Sequence, residues 1–240
     1  MISSSVRGFL APLQAERRWA WLLVSVVVLS VVKIYEGDQA FFVKHFSEPF
    51  TDVQELNWMK WLYHHLASLV LFFAIPLIII RFALHERGRA FGLGLGDWKF
   101  GIKASLVALL VLPIPVYFSS LNPEHRDFYL SGYPLELANS SVLYFALWGL
   151  TYLPHYIGWE FFYRGYIGFG FKKHMGMLGA LMFQTLLTAL MHIGKPEGET
   201  WGAVVGGIYL GLLAYRTRSI WYGVLFHFYL GILNSWFCAW

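Results

Sequence analysis

Long apolar runs alternate with short polar links along most of the chain. The first three runs cover residues 19–35, 61–84 and 102–119, and each is long enough to cross a bilayer as a helix. This pattern predicts an all-α, polytopic membrane helix bundle of about seven spans, in one domain over residues 1–240. The remaining runs lie at residues 141–171, 175–193, 200–215 and 219–236.

The run over residues 141–171 is too long for a single span. As one helix it would measure about 46 Å, against roughly 30 Å of hydrocarbon. Either the helix projects beyond the membrane, or Pro154 and Gly158 divide it into elements near residues 134–153 and 157–171. The second alternative raises the total to eight spans, and both alternatives stay open.

Composition agrees with a membrane protein. Hydrophobic residues make up 58% of the chain and charged residues only 13%, whereas charged residues are about a quarter of a soluble protein. The pI near 9.1 does not indicate a nucleic-acid partner, because the basic residues are scattered in short clusters between apolar runs. The single cysteine, Cys238, excludes an intramolecular disulfide.

The basic residues alternate from one polar link to the next. The links were divided into two alternating sets, the first of which begins with the residues before the first run. The first set contains twelve Lys and Arg in total, and the second set contains four. The positive-inside bias therefore predicts a multi-pass protein of the cell membrane with its N-terminus in the cytoplasm. Residues 1–18 lack a secretory signal pattern, so we expect the first run to be an uncleaved span.

Four strongly polar side chains lie within the later apolar runs. Glu160 and Arg164 are four residues apart and share a helix face, and His192 and His227 lie in two other runs. Charges inside a membrane usually face a bundle interior or a wet cavity. At 1.5 Å per residue, Glu160, His192 and His227 lie about 20, 27 and 14 Å above the basic links. Ordinary helix tilts absorb much of that spread, so the three can meet in one cavity.

One carboxylate and two imidazoles allow two chemistries. In the first, Glu160 deprotonates a water that attacks a peptide carbonyl, while an imidazole stabilises the oxyanion. In the second, His192 and His227 hold Zn²⁺, with Glu160 as third ligand or as base. Arg164 orients Glu160 or binds a substrate carboxylate. An ion pair that only locks the helix is the alternative to both.

Three short motifs, in order, resemble those of the CPBP family of CAAX prenyl endopeptidases and bacteriocin-processing (Abi) intramembrane proteases. The family patterns are E-E-x-x-x-R, F-x-x-x-H and H-x-x-x-N. Here residues 159–164 read WEFFYR, residues 188–192 read TALMH and residues 227–231 read HFYLG. The glycine-spaced FGLGLGDWKFGI is also similar to a stretch ahead of the family core, so the resemblance covers about residues 90–236.

Three positions depart from the family patterns. Trp159 replaces the first glutamate, which the resemblance implies is the water-activating base, so Glu160 is the only carboxylate of the motif. Thr188 replaces a phenylalanine and Gly231 replaces the asparagine. Asn234 or, as an alternative, Ser235, about two turns beyond the last motif histidine, is expected to supply a supporting polar contact instead.

The resemblance implies a hydrolase: a glutamate-dependent intramembrane endopeptidase with Glu160, His192 and His227 as catalytic residues and no metal. Its substrate would be a peptide or the terminal segment of a membrane-attached protein; family substrates include prenylated C-termini, bacteriocin precursors and sorted surface proteins. The alternatives are a zinc-dependent protease, a catalytically inactive membrane scaffold or immunity protein, and a transporter. A transporter is disfavoured because the chain shows no convincing internal repeat.

Overall fold

The structure, a computed structural model, describes residues 16–240, and most of these residues are helical. No strand occurs in that range, which confirms the all-α prediction. Short π- or 3-10-helical segments lie between several of the α-helices. The α-helices are α1 (Arg17–Tyr35), α2 (Gln39–Phe46), α3 (Val53–Leu69), α4 (Ile75–Ile78), α5 (Trp98–Val111), α6 (Pro113–Ser120), α7 (Pro123–Leu130), α8 (Leu135–Ala138), α9 (Val142–Glu160), α10 (Gly170–Leu190), α11 (Glu197–Thr217) and α12 (Trp221–Ala239).

Three helical stretches are long and apolar enough to cross a bilayer: Arg17–Tyr35, Val53–Ala83 and Trp98–Ser120. Their outward faces carry large exposed apolar side chains, as lipid-facing helices do. The length and apolar composition of these helices are those of a membrane protein. The total of seven or eight spans, the cytoplasmic N-terminus and the uncleaved state of the first span stay predictions. Residues 1–15, which precede that span, lie outside the described residues.

Two polar links contain helices that hydropathy alone did not predict. The second span begins at Val53 rather than at residue 61, because the Asp52 carboxylate accepts hydrogen bonds from the first-turn amides. The link over residues 120–140 contains α7 and α8. Asn122 caps α7 and Pro123 occupies its first position, an arrangement that starts a helix in a polar sequence.

The long run over residues 141–171 is one uninterrupted element. Helix α9 passes through Pro154 without ending and continues directly into a π-helix, Phe161–Phe169. Eight of the nine π-helical residues are buried, so this segment lies in the centre of the bundle. The first non-helical residue comes later, at Gly176, whose φ of 68° lies in the left-handed region.

Two glycines allow the helices around this element to approach closely. A Cβ atom on Gly158 of α9 would lie 2.2 Å from the Ser68 carbonyl oxygen of α3. A Cβ on Gly223 of α12 would lie 2.1 Å from Glu160 Oε2. Because only glycine fits at both positions, α3 and α12 pack directly against the end of α9. These contacts set the position of the candidate site.

Candidate active site

Glu160, the last residue of α9, has a fully buried side chain at 0% exposure. Its Oε1 atom accepts a hydrogen bond of 2.8 Å from Nδ1 of His227 on α12. Its Oε2 atom lies 3.5 Å from Nε of Arg164 in the π-helix. An ionised carboxylate only accepts hydrogen bonds, so the His227 proton is on Nδ1 and the second ring nitrogen, Nε2, is the one that can act on another group.

Arg164 links the first motif to the second. Its side chain is 1% exposed, and Nη1 donates to the Thr188 hydroxyl at 3.3 Å. That hydroxyl donates in turn to the Gln184 carbonyl at 2.6 Å. The atoms Glu160 Oε2 and Arg164 Nε have no hydrogen-bond partner among the described residues, so charge attraction holds them together. Thr188, which departs from the family pattern, therefore anchors the guanidinium.

The ring of His227 is held by stacking as well as by its hydrogen bond. It lies parallel to the Tyr156 ring, with centroids 5.2 Å apart and an interplanar angle of 6°. Its side chain is 17% exposed, in contrast to the sealed carboxylate beside it. The imidazole is therefore oriented on two sides by α9 and partly open on a third.

His192 lies in the turn just after α10, and the backbone of its own helix orients it. Its Nδ1 donates to the Thr188 carbonyl at 2.8 Å, so Nε2 is again the nitrogen free to react. The ring packs edge-on against Trp159, with centroids 5.7 Å apart. Trp159, at the position of the missing first-motif glutamate, is thus the direct neighbour of this histidine.

A second carboxylate lies beside His192. Oε1 of Glu199, in the first turn of α11, is 3.8 Å from His192 Nε2. Nζ of Lys195 donates to the same oxygen at 2.6 Å, and the Tyr129 hydroxyl of α7 donates to Oε2. Sequence reasoning missed all three residues, although the four-residue spacing of Lys195 and Glu199 is typical of a helical ion pair.

The model of the type II CAAX prenyl endopeptidase Rce1-like family matches residues 139–233. The CPBP resemblance is confirmed. The matched segment includes the first-motif Glu160, the second-motif His192 and the third-motif His227, and it lies within the predicted core over residues 90–236. Neither a curated protein nor a solved structure matches the chain. A CAAX-protease type of membrane peptidase is thus the class that the comparison indicates.

The third motif of this CPBP-like segment does not gain a polar contact from Asn234. The Asn234 side chain accepts a hydrogen bond of 2.8 Å from His125 Nε2 of α7, two turns from His227. At the motif position itself, a Cβ on Gly231 would lie 2.9 Å from the Tyr156 hydroxyl oxygen. The structure therefore pairs Asn234 with α7, and a tyrosine occupies the space beside Gly231.

His192 and His227 were considered as ligands of a zinc ion. No group of three or more His, Cys, Asp or Glu side chains within residues 16–240 is arranged to hold a metal. Glu160, expected either as third ligand or as base in a zinc site, directs its Oε1 at His227. Structural and catalytic zinc sites need at least three protein ligands converging on one point. The zinc hypothesis therefore gains no support from the geometry of these residues.

Proposed function

We propose that the chain is an intramembrane endopeptidase that hydrolyses a peptide bond near the end of a membrane-attached peptide or protein. One observation carries the proposal: the three motifs are joined by direct contacts in the bundle. Glu160 of the first motif binds His227 of the third, and Arg164 binds Thr188 of the second. Polar groups held together inside an apolar bundle in this way are usually functional.

In this proposal Glu160 acts through His227 rather than on water directly. Its side chain is fully buried, and its two oxygens face His227 and Arg164. A carboxylate in this position fixes the tautomer and orientation of an imidazole, as the buried acid of a hydrolytic triad does. Glu160 is then a positioning residue, and His192 and His227 are the groups that contact the reacting atoms.

The two imidazoles have different roles in the proposed reaction. Nε2 of His192 accepts a proton from water as the water oxygen bonds to the carbonyl carbon. His227, protonated at Nε2 with Glu160 to balance its charge, donates to the carbonyl oxygen as that oxygen becomes negative. The His192 proton passes to the amide nitrogen when the carbon–nitrogen bond breaks. The products are a carboxylic acid and an amine, with one water consumed.

A non-catalytic membrane partner is the second candidate. Trp159 packs edge-on against His192, at the position where the family pattern places the water-activating glutamate. If no other group replaces that glutamate, the bundle keeps its architecture without turnover. The two candidates differ in a single observable, which is cleavage of any substrate by the wild-type chain.

The experiment uses the purified full chain in phospholipid vesicles. Three quenched-fluorescence substrates represent the family classes: a prenylated C-terminal peptide, a bacteriocin-type precursor and a membrane-anchored sorting segment. We expect cleavage of one of them, a fall of about 10²- to 10⁴-fold for His227→Ala, and a similar fall for Glu160→Gln. His45→Ala, an exposed histidine on α2, is the matched control and retains full activity.

Two results decide between the alternatives. Cleavage of none of the three substrates, by a chain with a normal unfolding transition, contradicts the proposal and favours the non-catalytic candidate. Cleavage at the wild-type rate by a folded His227→Ala variant also contradicts the proposal. Prolonged treatment with a chelator is expected to leave activity intact, and its loss, with recovery on adding Zn²⁺, establishes the metal-dependent chemistry instead.

A further inference from the structure

The carboxylate missing from the first motif has a counterpart on another helix. Trp159 packs against one side of the His192 ring, and Glu199 Oε1 lies 3.8 Å from His192 Nε2. We propose that Glu199 replaces the lost motif glutamate and, with His192, holds the attacking water. This inference rests on the proposed peptidase function and extends it to a residue outside the three motifs.

The separation of these two atoms fits a single bridging water. A distance of 3.8 Å is too long for a direct hydrogen bond, which requires about 2.7–3.2 Å. One water about 2.8 Å from each atom contacts both. It donates one hydrogen to Nε2, whose lone pair is free because Nδ1 carries the proton, and the other to Glu199 Oε1.

The surroundings of Glu199 leave its carboxylate able to accept a hydrogen bond from water. Lys195 donates to one oxygen and the Tyr129 hydroxyl to the other. A carboxylate has about four acceptor positions, so Oε1 still has room for a water after binding Lys195. Glu199 also lies in the first turn of the 21-residue helix α11, where the helix dipole favours a negative charge.

Water reaches this pair more readily than it reaches Glu160. The side chains of His192 and Glu199 are 15% and 17% exposed, whereas that of Glu160 is 0% exposed. Water consumed in each cycle can therefore be replaced through this exposed side without opening the buried ion pair. Of the two carboxylates, Glu199 is the one placed to touch the reactant.

The proposed step balances within these groups. The water oxygen forms a bond to the carbonyl carbon while its proton moves to His192 Nε2. Glu199 then offsets the positive charge of the imidazolium. The same proton moves to the amide nitrogen as the carbon–nitrogen bond breaks, which restores neutral His192. Glu199 is charged throughout and acts by holding the water and stabilising the cation.

The test compares Glu199→Gln with Glu197→Gln. Glu197 is two residues away and exposed, and within the described part of the chain its side chain accepts a hydrogen bond from Trp201 alone. It is therefore a matched control for charge and helix position. We expect Glu199→Gln to lower kcat about 10²-fold with little change in KM. Glu197→Gln should leave both values unchanged. A rise in KM alone would indicate substrate binding and overturn the inference.

A rescue experiment excludes a merely structural role. Adding Trp159→Glu to the Glu199→Gln variant returns a carboxylate to the other side of His192, and we expect at least a tenfold recovery of kcat. Trp159→Gln in the same background is the control for the loss of the indole and should not recover. Recovery by both variants contradicts the inference, as does no recovery by a folded double variant.

Failure of the inference is distinct from failure of the proposed function. If wild-type protein cleaves and Glu199→Gln cleaves equally fast, Glu199 is not involved, although the chain is still a peptidase. If the wild type cleaves none of the three substrates, the proposed function is wrong and the inference falls with it. Unfolding transitions of all variants, measured in the same vesicle lipids, separate both cases from misfolding.

Discussion

Two charged clusters in the same bundle differ sharply in their access to water. The sealed cluster is the ion pair of Glu160 and Arg164, whose side chains are 0% and 1% exposed. The open cluster consists of His192, Lys195 and Glu199, whose side chains are 15%, 32% and 17% exposed. This difference matches the two proposed roles, in which a buried carboxylate orients His227 and an accessible carboxylate holds water beside His192.

The physical cost of the two clusters differs for the same reason. Removing a charge pair from water costs several kcal/mol per ion, and their mutual attraction offsets that cost only while both partners are present. Partly exposed charges keep much of their hydration and are screened, so each pair contributes little to stability. The sealed cluster should therefore be sensitive to the loss of any one member, and the open cluster should be sensitive mainly in activity.

The largest expected effect is on the sealed ion pair. Arg164→Met leaves the Glu160 carboxylate buried without its cation, and we expect the free energy of unfolding to fall by about 3–5 kcal/mol. Lys195→Met, the matched removal from the open cluster, should cost less than about 1 kcal/mol. Denaturant titrations in mixed micelles measure both. Equal decreases in the free energy of unfolding for the two variants would contradict the proposed difference between the clusters.

A smaller effect is expected where α12 meets Glu160. Gly223→Ala places a methyl group 2.1 Å from Glu160 Oε2 in the unrelaxed structure, and the overpacking should cost about 1–3 kcal/mol. At Gly206 on α11, no atom of residues 16–240 outside the adjoining helix backbone lies within 4 Å of the added Cβ. Gly206→Ala should therefore leave stability unchanged or raise it through its better helix propensity. The same titrations apply, and a destabilising Gly206→Ala would contradict this explanation.

The smallest effect is expected at a pair open to water on both sides. The Phe100 amide and the Arg216 guanidinium lower the pKa of Asp97, in the link before α5. A lowered carboxyl pKa adds stability above the unfolded pKa, near 3.9, and that stability is lost as the pH falls through the folded value. Asp97→Asn should therefore lower the unfolding midpoint slightly at pH 7, and the difference should vanish in acid. A difference that persists unchanged in acid would exclude this charge effect.

Much of the fold follows from hydropathy because apolar runs of this length have few alternatives to a helix in a bilayer. Prediction was weaker in the polar links, where short-range capping by Asp52 and Asn122 starts helices that hydropathy does not indicate. Local sequence preference also did not decide whether the helix ends at Pro154. In the structure α9 continues through Pro154 into a buried π-helix, and that burial depends on the packing of the whole bundle.

The candidate site was partly predictable for similar reasons. Glu160 and Arg164 are four residues apart, so helix geometry predicts that their side chains are neighbours, and in the structure they form an ion pair. The contact of Glu160 with His227 depends on how close α9 and α12 pack, which Gly223 decides. Glu199 was missed because a carboxylate in a polar link is ordinary in sequence, and only the turn after α10 brings it to His192.

The turnover number of a folded His192→Asn variant tests the central claim most directly, because His192 is the imidazole that is proposed, together with Glu199, to hold and activate the attacking water. We expect its unfolding free energy to stay within about 1 kcal/mol of the wild type and its kcat to fall at least 100-fold. Turnover at the wild-type rate by the folded variant would contradict the proposal that this imidazole activates water.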